Sequence, residues 1–156
     1  MLFEFQVAGD KLISRNLLRV GARAVDARPA FKAVADYMID ETEKQFASEG
    51  GHASGGWAHL KPITLAGKAR RGEDPRILHA THRLVDSLTD RGSADMILET
   101  TADELRYGSR VPYAAFHQRG TSSMPRRRPI EFTEPAKRNI VKIIQRWVIA
   151  GEVVSA

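Results

Sequence analysis

Residues 94–109 read "ADMILETTADELRYGS", and the folding of this stretch decides the class of the whole chain. Met96, Leu98 and Thr100 alternate with Ile97 and Glu99, and Leu105 and Tyr107 alternate about Arg106. A period of two puts successive side chains on opposite faces, so each run reads as a strand. Ala102 and Asp103 fall between the runs, where a turn joins them into an antiparallel hairpin. Strands adjacent in sequence, with helices segregated to either side, point to α+β rather than to a parallel α/β sheet.

On the C-terminal side, "PIEFT" (129–133) is expected to supply another strand. Thr133 caps a final helix with Pro135 in its first turn. Ala136, Ile140, Ile143, Ile144, Trp147 and Val148 form one apolar stripe of that helix, and Gly151 ends it. On the N-terminal side, Thr81 is placed to cap a helix running to about Thr89, with Leu84, Val85 and Leu88 on its inner face. "TLAGKARRGEDP" reads as a short basic helix that fails at Gly72. Before it, "ASEGGHASGGWAHLKP" has four glycines in seven positions, and a mobile loop is expected over about 48–76, anchored at Trp57 and Leu60. Phe31, Val34, Ala35, Met38, Ile39 and Phe46 recur at helical spacing and predict the longest helix of the first half, 28–47, with Asp26 as its cap. Ile13, Leu17, Val20 and Ala24 predict a shorter amphipathic helix, and "LFEFQVAG" (2–9) a first strand. The expected architecture is one domain, 1–156. Its small antiparallel sheet, the hairpin plus one or two further strands, packs on the 28–47 helix and the C-terminal helix.

The 156 residues suffice for a single core without a staple. There are no cysteines, which removes disulfides, thiolate metal sites and a cysteine nucleophile. "MLFEFQVAGDK" lacks the basic and apolar regions of a signal peptide, and no apolar run approaches a membrane span; a soluble protein made in the cytoplasm is the expectation.

Net charge is +5 and unevenly spread. From Met124 to Arg146, seven basic residues (Arg126, Arg127, Arg128, Lys137, Arg138, Lys142, Arg146) face only Glu131 and Glu134. From Asp36 to Glu49 the balance reverses, with Asp36, Asp40, Glu41, Glu43 and Glu49 against Lys44. Two readings follow. Residues 124–146 could form a basic strip for nucleic acid. Alternatively the two segments could meet between copies, with Arg126, Arg127 and Arg128 docking on Asp36, Asp40 and Glu43 of a neighbour. Pro125 and Pro129 bracket the arginines, and no aromatic is interleaved with them for stacking on bases.

Catalytic patterns do not assemble. His79 and His82 share a helix spacing, but no third ligand completes a zinc set. Asp86 and Ser87 lie near His82 without a nucleophile elbow, and "GGHASGG" lacks the GK[ST] of a phosphate loop. No enzyme, no metal and no cofactor is the expectation.

Taken in order, "RPAFKAVADYMIDETEKQFASEG", "WAHLKPIT", "ILHATHRLVDSL", "LRYGSRVPYAAFHQRG" and "MPRRRPIEF" resemble the phage virion morphogenesis family, the tail-completion or head–tail joining proteins of Mu-like and related tailed phages. Phe46, Trp57, Leu60, Pro62, Thr64 and Lys68 match its first two elements. Ile77, Leu78, Thr81, Leu84 and Ser87 match the third; Tyr113, Ala114, His117, Gln118 and Gly120 the fourth; Pro125, Arg128 and Pro129 the last. His82 stands where the family usually has glycine, which suggests a turn with no need of positive φ, and Ile130-Glu131 replaces a commoner Phe-Leu. The resemblance implies a non-enzymatic virion part at the head–tail junction or tail end, made in the host cytoplasm. It would assemble as a homo-oligomeric ring, a hexamer, against connector or tail-tube proteins, with passing DNA as an incidental contact and no membrane.

Overall fold

The computed structural model describes residues 10–153, with side-chain surroundings from residue 14 onward. The strand expected over 2–9 lies outside the described residues. Six helices and one hairpin follow: α1 Asp10–Val25, α2 Arg28–Ala47, α3 Pro62–Arg71, α4 Arg83–Thr89, β1 Met96–Thr100, β2 Leu105–Ser109, α5 Ala114–Arg119 and α6 Glu134–Ala150. The class is α+β, and the sheet of the described residues is β1 paired antiparallel with β2, Met96 opposite Ser109 and Thr100 opposite Leu105.

The long helix α2 organises the packing because its apolar stripe is long enough to serve two cores. Its first half sets Ala33 and Val34 against Ile143 of α6, with Ile140, Ile144 and Leu105 around them. Its far end sets Phe46 into a second cluster with Trp57, Ile77, Leu84, Leu88 and Val111. Phe46 meets Trp57 edge to face at 5.5 Å, the arrangement that ring quadrupoles favour. The hairpin closes over α2 and α4. Tyr107 reaches through to donate its hydroxyl to the Leu88 carbonyl at 2.6 Å, 3.0 Å from the Thr42 hydroxyl. Burial pushes that phenol up to about 12.

The final helix begins and ends as its sequence dictates. The Thr133 hydroxyl accepts from the Ala136 amide at 3.2 Å, and Gly151 closes it at φ 73. At its C-terminal end the Trp147 indole donates to the carbonyls of Arg23 and Asp26, and Arg23 donates to the Ile149 carbonyl, which ties α1 to α6.

Three local expectations are corrected. "PIEFT" forms no strand: Ile130 has both backbone groups taken by the Gln118 amide, so none is left for a ladder. Thr81 does not cap α4; the cap position is His82, at φ 58, with no side-chain cap bond. The turn therefore does adopt the left-handed conformation that the histidine had seemed to rule out. The stretch 48–76 holds α3 at 62–71, the short basic helix expected to fail at Gly72. Its glycine-rich part is hydrogen-bonded: Gly50 donates to Gln45 O, Ser54 and Gly56 to Gly50 O, and Trp57 to Glu49 O.

Candidate functional site

The sequence points to the arginine run, and the structure divides it. Helix α5 ends at Gly120, where φ is 77 and a Cβ would sit 3.1 Å from the Arg126 backbone nitrogen. Only glycine lets the chain turn back this closely. The Thr121 amide then donates to Met124 O and the Arg127 amide to His117 O, closing the loop upon α5.

From there residues 127–131 run as a brace against the Trp57 loop. The Arg128 carbonyl accepts from the Trp57 indole and from Gln45 Nε2, both at 3.2 Å. Gln45 is fully buried, and its Oε1 accepts from the Ala53 amide at 2.9 Å. Pro129 is fully buried as well. The Arg128 side chain pairs with Glu131, whose other oxygen takes the Ser54 hydroxyl.

Arg127 turns inward and is only 7% exposed. Its Nε donates to Ala58 O at 2.8 Å and its Nη2 to His59 O at 3.3 Å. Burial pushes the guanidinium below its ordinary value. Of the three arginines expected to dock on a partner, Arg127 is thus spent inside the subunit and Arg128 is half-buried in an ion pair. Arg126 remains exposed.

The acidic set is divided in the same way. Asp36 pairs with Arg91, and Asp40 with Lys44 at 2.6 Å. Glu41 is buried and holds both Lys44 and His52. Asp36, Asp40 and Glu43 stay on the exposed face of α2.

The remaining family-motif residues line one cavity or the core beside it. Phe46, Trp57 and Leu84 are core; Ala114 and Leu60 pack against it. Pro62 starts α3 in the first turn. The cavity, about 550 Å³, has Leu60, Leu78 and Leu84 on its apolar wall. Thr64, Thr81, Tyr113, His117, Pro125 and the cations Lys61, Lys68 and Arg127 also line it. Lys68 is 6% exposed and donates to the carbonyls of Asp74 at 2.8 Å and Arg76 at 2.7 Å. Burial lowers its ammonium, although Asp74, Glu73 and Glu49 pull the other way. His117 is kept below the ordinary imidazole value by burial and then by Arg127.

Tyr113 is 37% exposed and meets His117 edge to face, ring centres 6.0 Å apart. The hairpin tyrosine in the core is Tyr107. The Gln118 side-chain amide pairs with both backbone groups of Ile130. Sequence reasoning missed Gln45 and Glu49, whose carboxylate accepts from the Ile77 amide at 2.5 Å. Gln45 had a signal: it follows Met38 and Thr42 at helical spacing on the buried face.

The outer face of α6 is a further surface. Arg138, Val141, Lys142, Gln145, Arg146 and Ile149 fall on one face at helical spacing, and all are exposed. None of its three cations is in an ion pair among the described residues.

The sequence profile of the phage virion morphogenesis family matches residues 9–149. The chain belongs to that family. The match spans every helix and both strands, from the first turn of α1 to the penultimate residue of α6. No curated protein and no solved structure matches the chain. Membership assigns a part in building the phage particle and a virion-associated product, the work of a structural and morphogenesis family. Among the described residues, no helix is long and apolar enough to cross a membrane, and no cluster of histidine and acidic side chains could hold a metal ion.

Proposed function

We propose that this chain completes the tail or joins tail to head as a non-enzymatic ring of identical copies at the head–tail interface. The observation that carries the reading is apolar surface that the described residues leave exposed on the two helices that meet at their C-terminal ends. Leu17, Leu18 and Val25 of α1 are 66%, 74% and 75% exposed, and Ile149 of α6 is 70% exposed. Apolar surface of this kind on a subunit marks an interaction site. A heterologous contact that closes on itself gives a ring, and opposed charges on one subunit suit it. In that contact Arg126 and the basic face of α6 are the groups left to meet Asp36, Asp40 and Glu43 of the next copy, since Arg127 is committed internally.

The test is the double variant Leu17→Asp, Leu18→Asp. Both side chains are exposed, so the subunit should fold normally. Native mass should drop from a defined multimer to a monomer, and lysates should hold unjoined heads and tails. Wild-type protein that stays monomeric at every concentration and on tails would overturn the reading, as would a variant with unchanged assembly.

One observation favours a second reading, in which the same chain grips DNA. Arg138, Lys142 and Arg146 form a regular row of exposed cations, the footprint of phosphate contact.

A further inference from the structure

The cavity between α3, the 77–84 segment and the 117–127 loop is lined by a buried cation, Arg127, for which the described residues supply no counter-charge. Lys68 and Arg127 are both buried, and both line it. Neither forms an ion pair among the described residues; their bonds go to the carbonyls of Asp74, Arg76, Ala58 and His59. Of the carboxylates near Lys68, Glu73 is paired with Arg71 and Asp74 with Arg76, while Glu49 accepts only the neutral Ile77 amide and keeps its charge; Arg127 has no such neighbour. Buried charges are ordinarily paired, because an uncompensated one is costly to hold out of water. His117 adds a third polar group, since its buried Nδ1 has no hydrogen-bond partner among the described residues. The rest of the wall is mainly hydrocarbon, supplied by Leu60, Leu78, Leu84 and Met124, and is interrupted by Lys61 and the hydroxyls of Thr64, Thr81 and Ser123.

Two buried cations, one of them without a counter-charge, and a mainly apolar wall call for an anion carried on an apolar stem. A nucleic-acid phosphate fits less well, because its hydrated sugar would lie against the hydrocarbon that makes up most of this wall. We infer that the cavity receives the side-chain carboxylate of an acidic residue flanked by apolar residues, presented by a neighbouring protein chain of the assembled particle. The inference rests on the tail-assembly reading for its source of ligand. Its chemistry belongs to the isolated subunit.

The experiment titrates the full-length isolated chain with octanoate, a carboxylate on an apolar stem, and follows the His117 ring and Met124 methyl resonances. Saturable shifts are expected with octanoate, and none with octylammonium. Ser123→Glu sets a carboxylate at the exposed mouth without touching the core, and should weaken octanoate binding at least tenfold. Arg127→Leu should abolish binding; because Arg127 also holds the 58–59 backbone, Ser123→Glu decides if that variant fails to fold. Absence of saturable shifts, equal binding of octylammonium, or inorganic phosphate binding as tightly as octanoate would each overturn the inference. For the source, a photo-cross-linking amino acid replaces Ser123 in particles. Cross-links to a peptide with Asp or Glu beside apolar residues support it; cross-links only to nucleic acid, or none, overturn it. Failure of the tail-assembly reading shows differently, as particles that contain none of this chain, and leaves the octanoate result to stand or fall alone.

Discussion

His82 enters α4 with φ at 58, a conformation in which Cβ crowds the following carbonyl and which costs most residues roughly 1–2 kcal/mol. What it gains there is small: a 3.2 Å approach to Asp74 from a side chain that is 46% exposed, in the range where surface pairs contribute little. His82→Gly is therefore expected to raise the melting temperature, by the equivalent of up to about 1 kcal/mol after the entropy glycine adds to the unfolded chain. A lower melting temperature would mean that the contact with the His79 ring, 5.5 Å between centres, outweighs the strain. His79 and His117 carry the opposite lesson. Burial lowers both imidazoles below the ordinary 6.5, against the backbone bond that supports charge at His79 and with the help of Arg127 at His117. Below pH 6.5 the unfolded chain binds protons that the folded chain refuses. The stability these two residues contribute is thus complete above that pH and is lost progressively as pH falls towards the folded values. Urea midpoints should fall between pH 7.5 and pH 5.5, before the carboxylates titrate. A flat profile across that window would refute the assignment of both rings as buried and neutral.

At the scale of elements, the glycine-rich segment matters most, because its glycines serve shape rather than slack. Gly50 has φ 86, and a Cβ there would fall 2.3 Å from the Trp57 ring. Gly50→Ala must then displace a tryptophan that packs on Phe46, and should cost about 2–4 kcal/mol, adding left-handed strain to overpacking. In the wild type, hydrogen exchange should find the amides of Gly50 and Trp57 protected by their bonds to Gln45 and Glu49, and that of exposed Gly55 fast. Uniformly fast exchange from 48 to 57 would restore the picture of a loose loop. The composition of this segment was legible, but its order was not. Long-range partners impose that order: the Gln45 amide and the Arg128 carbonyl lie 83 residues apart in sequence. Periodicity sees only neighbours along the chain, which is why α2, α6 and the hairpin could be read from it. The missing strand at "PIEFT" shows the same limit, since β-propensity over five residues says nothing about Gln118 claiming Ile130. Arg127 shows it again. A run of three arginines predicts exposure for all of them, and only tertiary packing decides which one faces in.

At the scale of the whole molecule, the charge that appeared to belong to one loop is redistributed. With Arg127 buried and Arg128 paired, the exposed positive charge of the 124–146 segment lies mainly along α6, where Arg138, Lys142 and Arg146 flank Val141 and Ile149. The opposite face of the same helix is committed to α2 through Ile143 and Ala136, so the basic face points away from the core. Reversing all three cations to Glu leaves that buried stripe untouched. The triple variant should therefore keep the fold and its melting temperature within about 1 kcal/mol of stability, as surface substitutions away from packed features do. Its consequences separate the two uses of the face. If α6 meets the acidic face of α2 on the next copy, repulsion should prevent the multimer in native mass, and restoring charge complementarity with Asp36→Lys, Asp40→Lys and Glu43→Lys should recover it. If α6 instead holds DNA, the multimer should survive. The wild type should then show log affinity falling linearly with log salt, and the variant should lose most of that slope, because each phosphate contact removed takes about 0.9 from it. A variant that multimerises, binds DNA with an unchanged slope and joins heads to tails would show that the basic face of α6 serves neither purpose.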